Sequence, residues 1–237
     1  MPAKLSVNIN KIALLRNARG ANIPDLLQFA KDCEEFGADG ITVHPRPDER
    51  HVRYDDVFDL KKIVTTEFNI EGYPSDKFIK MVLEVQPDQV TLVPDPPEAL
   101  TSDEGWDTIK HFDFLSRVVD KFKNKNIRVS LFMGNDEDKI TAVKDIGCDR
   151  IELYTGPYAA QYDKEKEEAI TLYRNSALLA SKLGLGVNAG HDLNLYNLKY
   201  FSKQIPGLLE VSIGHALVKD CLYYGLENTI QMYKILL

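Results

Sequence analysis

Short runs of Val, Ile, Leu and Phe alternate with longer segments of helical apolar spacing eight times along this chain, and that alternation constrains its fold more than any other feature. The strand-like runs are Leu5–Asn10, Gly40–His44, Phe68–Glu71, Gln89–Pro94, Arg128–Met133, Arg150–Thr155, Leu185–His191 and Leu209–Gly214. Between them lie helical segments at about Ile23–Phe36, Tyr54–Thr66, Ser75–Val85, Trp106–Lys125, Asp136–Ile146, Asp163–Leu183, Asn194–Gln204 and Leu217–Ile235. A helix inserted between every two strands forces those strands to run parallel, because a tight hairpin has no room for one. Eight strand–helix units predict an α/β fold, a (β/α)8 TIM barrel, as one domain over residues 1–237. The rival is an open doubly wound sheet, which usually has fewer strands and a glycine-rich nucleotide loop after the first. Here NINKIALLRNARG follows the first strand without that loop, and GLGVNAG spans a strand with the wrong spacing.

Punctuation agrees with this frame. Pro24 sits just inside the first expected helix with Asn22 as a candidate cap, Ser75 opens the third, and Asn135 or Asp136 opens the fifth. In EFGADG, DIGCDR and KLGLG, the residues Gly37, Gly147 and Gly184 can take the left-handed conformation that ends a helix. The KEKEE run reads as a solvated helix face. The longest aperiodic stretch, Pro94–Gly105, follows the fourth strand, where long loops often serve as lids or binding loops.

With 237 residues, 44% of them hydrophobic, the chain can bury one sizeable core. A net charge of −7 without a basic run argues against nucleic acid as a partner. Cys33, Cys148 and Cys221 are dispersed and form no metal spacing, as expected of unpaired thiols in a reducing cytosol. The start runs straight into LSVNIN with no signal-like segment, and no apolar run approaches ~18 residues. A cytoplasmic protein without a membrane partner is expected.

Chemistry collects at the strand ends. Three of five histidines, His44, His191 and His215, end or directly follow a strand-like run, and His51 lies in the second βα loop. His111 falls on a helix and reads as packing. A barrel brings all carboxyl ends of its strands to one face, so the three histidines meet. Glu71 and Glu152 reach the same face. Each could be half of an inward salt bridge, but beside histidines they make an acid–base set. Arg19, Arg46 and Arg50 carry the planar fork that suits phosphate, although a surface ion pair is the commoner use of any one arginine. Gly214 and His215 precede a helix, where backbone amides and the helix N-terminus favour an anion. No metal-ligand spacing or GxSxG elbow appears. Lys11, beside a strand end, leaves a Schiff-base role open, with a plain cationic contact as the alternative.

NINKIALLRNARG, GADGITVHPRPDERH, NIEG, VSLF, IELYTGPYA, VNAGHDL and IGHAL, in this order, closely resemble the pyridoxine 5′-phosphate synthase family over nearly the whole chain. The resemblance implies a (β/α)8 barrel that condenses 1-deoxy-D-xylulose 5-phosphate with 3-amino-2-oxopropyl phosphate to pyridoxine 5′-phosphate, phosphate and water. It implies no metal or organic cofactor, and a homo-octamer built from dimers. By motif, His44 and Glu71 resemble proton acceptors, His191 a proton donor, and Glu152 the group that stabilises the transition state. Asn8, Arg19, Gly214 and His215 match contacts to the aminoketone phosphate. Arg46, His51 and Thr101 match contacts to the deoxyxylulose phosphate. The chain departs from the pattern at Asn10 and Lys11, where some members have Asp-His, and at Asp192, where glycine is common. Both sites remain candidate substrate contacts: Asn10 and Lys11 still donate hydrogen bonds, and Asp192 offers a backbone N–H. The competing readings are a Schiff-base sugar-phosphate enzyme using Lys11, and a barrel that binds phosphorylated metabolites without turnover.

Overall fold

The computed structural model describes residues 2–95 and 104–237. Eight parallel strands form a closed barrel: β1 (Lys4–Asn8), β2 (Gly40–Val43), β3 (Glu67–Gly72), β4 (Gln89–Leu92), β5 (Arg128–Met133), β6 (Arg150–Tyr154), β7 (Gly186–Gly190) and β8 (Leu208–Ile213). Each pairs with its sequence neighbour, and β8 closes onto β1. Every strand coincides with one of the eight expected runs. The described residues form eleven helices: α1 (Asn10–Asn17), α2 (Leu26–Glu35), α3 (Tyr54–Ile63), α4 (Asp76–Val85), α5 (Phe112–Lys123), α6 (Glu137–Ile146), α7 (Gly156–Gln161), α8 (Lys166–Lys182), α9 (Leu198–Gln204), α10 (His215–Tyr224) and α11 (Leu226–Lys234). None is long and apolar enough to cross a membrane.

The helical expectations need four corrections. The first βα connection is not a plain loop, because α1 follows β1 almost directly. It buries Ile12, Ala13 and Arg16 on one side. The second helix starts at Leu26, and its cap is Asp25, whose carboxylate accepts the amides of Leu27 and Gln28; Asn22 and Pro24 lie ahead of it. Trp106 precedes α5, which begins only at Phe112. The last departures follow β6 and β8. A short extra helix, α7, precedes α8 after β6, and the eighth expected segment is broken at Gly225 (φ 77°), where α10 ends and α11 begins. Ser75 and Asp136 cap α4 and α6 as expected, accepting the amides of Phe78 and Lys139. Each such cap contributes about 1 kcal/mol.

Two sides of each strand have opposite chemistry. Leu5, Val7, Ile41, Val43, Ile70, Val90, Leu131, Ile151 and Val211 belong to one continuous apolar core shared with the helices. The alternate residues, Ser6, Thr42, Asn69, Thr91, Ser130 and Asn188, are buried polar groups inside the barrel. Four of them bond to one another: Ser6 to Thr42 at 2.7 Å, Asn69 to Thr42 at 3.2 Å, and Thr91 to Asn69 at 3.0 Å. At the amino ends of the strands, Arg150 lies 3.5 Å from Glu210 and 3.9 Å from Glu67, and Arg128 also pairs with Glu67. At the carboxyl ends, the inward positions carry the candidate site.

Candidate active site

The two histidines and two glutamates singled out above line one cavity of about 380 Å³ at the carboxyl ends of the strands. Its walls also include Asn8, Asn10, Lys11, Arg46, Arg50, His51, Asp192, Gly214 and His215. Arg19 does not join them; it is exposed beyond the end of α1. Thr101 lies outside the described residues, as does most of the Pro94–Gly105 stretch.

Glu71 leaves the end of β3 inward, where it is only 5% exposed. His44 Nδ1 stands 3.8 Å from its Oε2, and Asn8 donates to the same oxygen at 3.4 Å. Ser212 donates to Oε1 at 3.5 Å. Burial and the neighbouring Asp95 push its pKa up to about 8, against the pull of Ser212 and Arg46. Glu152, on β6, is equally buried, and burial, Glu71 and Glu210 hold its pKa well above the carboxylate range. Burial therefore favours the neutral form of both carboxyls. Gly190, opposite on β7, makes room for Glu152: a Cβ there would stand 2.3 Å from its Oε1.

The histidines are shifted the other way. Burial, then the charges of Arg46 and the other histidines, keep His44 well below its usual pKa. Its backbone N–H donates to Asn10 Oδ1 at 2.9 Å, so Asn10 orients the end of β2. His51 is pushed down to about 4 by burial, Arg46 and Lys11. Burial also lowers His191. His191 has φ 79° and Asp192 φ 60°, a left-handed pair of non-glycine residues just past β7. Such backbone persists only where its surroundings over-determine it. The hydroxyl of Thr155 reaches the carbonyls of Gly190, at 2.6 Å, and His191. Asn194 and Asn197 both donate to the Asp192 carbonyl at 3.1 Å. Phe132 and Tyr154 flank the His191 ring at 5.0 and 5.5 Å between centroids. Its buried Nδ1 has no hydrogen-bond partner among the described residues.

Two sides of the cavity suit anions. At the β8 end, α10 begins at His215, and its first amides have no intrahelical acceptor. Gly214 lets that turn approach β1, since a Cβ would stand 3.0 Å from Asn8. On the β2 side stand Arg46, Arg50 and His51. Arg46 is buried and bonded to buried Asp95 at 2.9 Å. Sequence reasoning quoted Asp95 only as part of a loop. Its signal was the Arg46 charge itself, which needs a partner once buried. Thr155 and Ser212 were missed because a hydroxyl at a strand end carries no motif of its own.

A family model described as pyridoxal phosphate biosynthesis protein PdxJ matches residues 5–237. The chain belongs to this family. Among relatives of the PdxJ family, pyridoxine 5′-phosphate synthase of Parabacteroides distasonis is 60% identical over 230 residues, covering 97% of each chain. The enzyme of that name from Cytophaga hutchinsonii is 61% identical, again with 97% of each chain covered. More distant solved structures share the barrel alone. Orotidine 5′-monophosphate decarboxylase from Methanocaldococcus jannaschii superposes with a TM-score of 0.68 at 14% identity, covering 100% of this chain and 99% of the other. 3-Keto-L-gulonate-6-phosphate decarboxylase from Vibrio cholerae gives 0.67 at 10%, covering 100% and 97%.

Proposed function

We infer that this PdxJ-family chain acts as a pyridoxine 5′-phosphate synthase in vitamin B6 biosynthesis. It condenses 3-amino-2-oxopropyl phosphate with 1-deoxy-D-xylulose 5-phosphate, closing the pyridine ring with release of phosphate and water. The observation that carries the chemistry is one cavity lined by His44, His191, Glu71 and Glu152, where burial favours the neutral form of each, between two sides that suit anions. Two phosphorylated substrates need two such sides, and ring closure needs repeated proton transfer in both directions.

The roles assigned to each residue follow from their protonation. The substrate amine attacks the ketose carbonyl, and the carbinolamine loses water to an imine. His44, held neutral, accepts a proton in these steps. Glu71, with a pKa near the working pH, passes protons either way, which is where general catalysis is most effective. His191, whose ring edge is open at Nδ1, delivers a proton as the sugar phosphate leaves. Glu152, buried and facing the same cavity, stabilises the charge that develops in the transition state. Water then adds at the carbon that the phosphate left, and the ring closes onto the aminoketone carbonyl with loss of further water and of a ring proton, so that water is released overall. Asn8, Gly214 and His215 take the aminoketone phosphate. Arg46, His51 and Thr101 take the deoxyxylulose phosphate, and Asn10, Lys11 and Asp192 contact the substrates between them. No metal or organic cofactor enters this scheme. We assign one barrel domain over 1–237 to the whole reaction, in a cytoplasmic homo-octamer.

The test mixes the purified protein with both ketone phosphates and follows inorganic phosphate together with pyridoxine 5′-phosphate absorbance. Both signals should appear only when both substrates are present. A folded protein that binds either phosphate yet releases neither product would overturn the assignment. Borohydride trapping of a substrate on Lys11 would then identify a Schiff-base enzyme instead.

A further inference from the structure

The phrase LLRNARG contains Arg16 and Asn17, and neither touches the cavity. Arg16 is nevertheless 4% exposed, deep for an arginine. Its guanidinium grips Asp56 of α3 through both terminal nitrogens, at 2.6 and 2.8 Å, and reaches the His51 carbonyl at 3.3 Å. Asn17 Nδ2 faces three successive carbonyls of the second βα loop: Glu49 at 3.5 Å, Arg50 at 3.2 Å and His51 at 2.7 Å. Asn17 Oδ1 accepts from Arg16 at 3.1 Å and from Arg53 at 2.9 Å. Asp56 also accepts the Arg53 amide at 2.7 Å.

These bonds tie α1, the second loop and α3 into one unit. The loop needs such a tie. Glu49 has φ 52°, and residues 49–51 form no strand or helix that would satisfy their carbonyls. An amide NH₂ has two hydrogens, so Asn17 can hold the turn of three carbonyls as no hydroxyl could. The consequence reaches the cavity. Val52 N–H donates to His51 Nδ1 at 2.9 Å, which leaves Nε2 to carry the ring proton towards an anionic ligand.

We propose that Asn17 and Arg16 are positioning residues, clamping the carbonyls of residues 49–51 so that His51 and Arg50 meet the phosphate of one substrate in a single geometry. The choice of substrate rests on the reading above that His51 contacts deoxyxylulose phosphate. The tests are Asn17→Ala and Asn17→Asp in the full chain; the aspartate keeps the bonds to Arg16 and Arg53 but sets oxygen against oxygen in the loop. KM for 1-deoxy-D-xylulose 5-phosphate should rise about tenfold or more, while kcat and the other KM change by less than about threefold. Exchange of the Val52 amide should accelerate about tenfold without change in the barrel strands. In a His51→Ala background, where only Arg50 is left to be positioned, Asn17→Ala should raise KM by clearly less than it does in the parent.

Unchanged Val52 protection, equal effects on both KM values with loosened barrel amides, or additive losses would each overturn the clamp. If His51→Ala alone leaves that KM unaltered, the ligand assignment of His51 fails. The Val52 amide then decides the clamp by itself.

Discussion

His191 couples backbone strain to its proposed chemistry. A side chain that reaches the cavity from φ 79° is held there by a threonine hydroxyl and two asparagine amides, not by its own preference. Asparagine tolerates that conformation better than alanine, so His191→Asn is the cleaner variant. It should lower phosphate release about 10²–10⁴-fold while thermal unfolding stays within a few degrees of the parent. Near-normal turnover would remove His191 from the proton donor's role. Glu71 makes a separate prediction about stability. Its pKa is about 8 when folded against an ordinary 4.5, so the folded state holds the proton more tightly. The stabilisation is complete below pH 4.5 and is lost as pH rises through 8, at up to about 1.4 kcal/mol per pH unit between. Urea unfolding at pH 5, 6.5 and 8 should show Glu71→Gln with a shallower decline than the parent; parallel curves would contradict the burial argument. His51 acts in the opposite sense. Its stabilisation is present above 6.5 and is lost as pH falls towards about 4.

Strands β1 to β3 and β6 to β8 deliver side chains to the cavity at or just past their carboxyl ends, and the fine geometry lies in what those segments leave out. Gly190 is the sharpest case, because Glu152 occupies the space a Cβ would need. Gly190→Ala should drive the carboxyl aside, lowering kcat by about 10²-fold and stability by about 1–3 kcal/mol. Steady-state kinetics beside a melting curve will separate the two effects, and an unchanged kcat would mean that Glu152 has no fixed position to lose. The missed α1 teaches a related lesson. Its apolar pattern is short, and one buried position holds Arg16 rather than a hydrophobe, so periodicity saw a loop. The split at Gly225 was legible only as one glycine in a long helical pattern. Its φ of 77° decides that the helix stops.

The molecule as a whole inverts the usual barrel. Branched apolar side chains commonly fill the interior of this fold, whereas here the interior is threaded by hydroxyls, amides and charges. Hydrophobic stabilisation must come from the layer between strands and helices. The interior must instead be satisfied bond by bond. Asn69 sits at the centre of that chain, donating to Thr42 and accepting from Thr91. Asn69→Leu keeps the volume but orphans the Thr91 hydroxyl and takes from Thr42 one of its two partners, and should cost about 1–3 kcal/mol in chemical unfolding. A neutral or stabilising result would show that the polar interior contributes nothing to folding.

The eight strands, their parallel order and the meeting of His44, Glu71, Glu152 and His191 were legible in the sequence alone. Strand and helix periods are local, and a closed parallel barrel leaves only one face for the strand ends. The phosphate-side residues His51 and Gly214 were legible for the same reason, through motifs next to strand ends. What the sequence could not decide was partnership across distance. That Arg46 is neutralised by Asp95, that Glu71 and Glu152 are pushed to the same protonation by burial, and that Asn17 reaches a loop 32 to 34 residues away all depend on which groups share a dry space. Arg19 shows the converse, since its motif suggested a ligand contact and α1 carries it outside the cavity. Electrostatic energies and hydrogen bonds fall off over a few ångströms, and distances of that size exist only once the chain has folded.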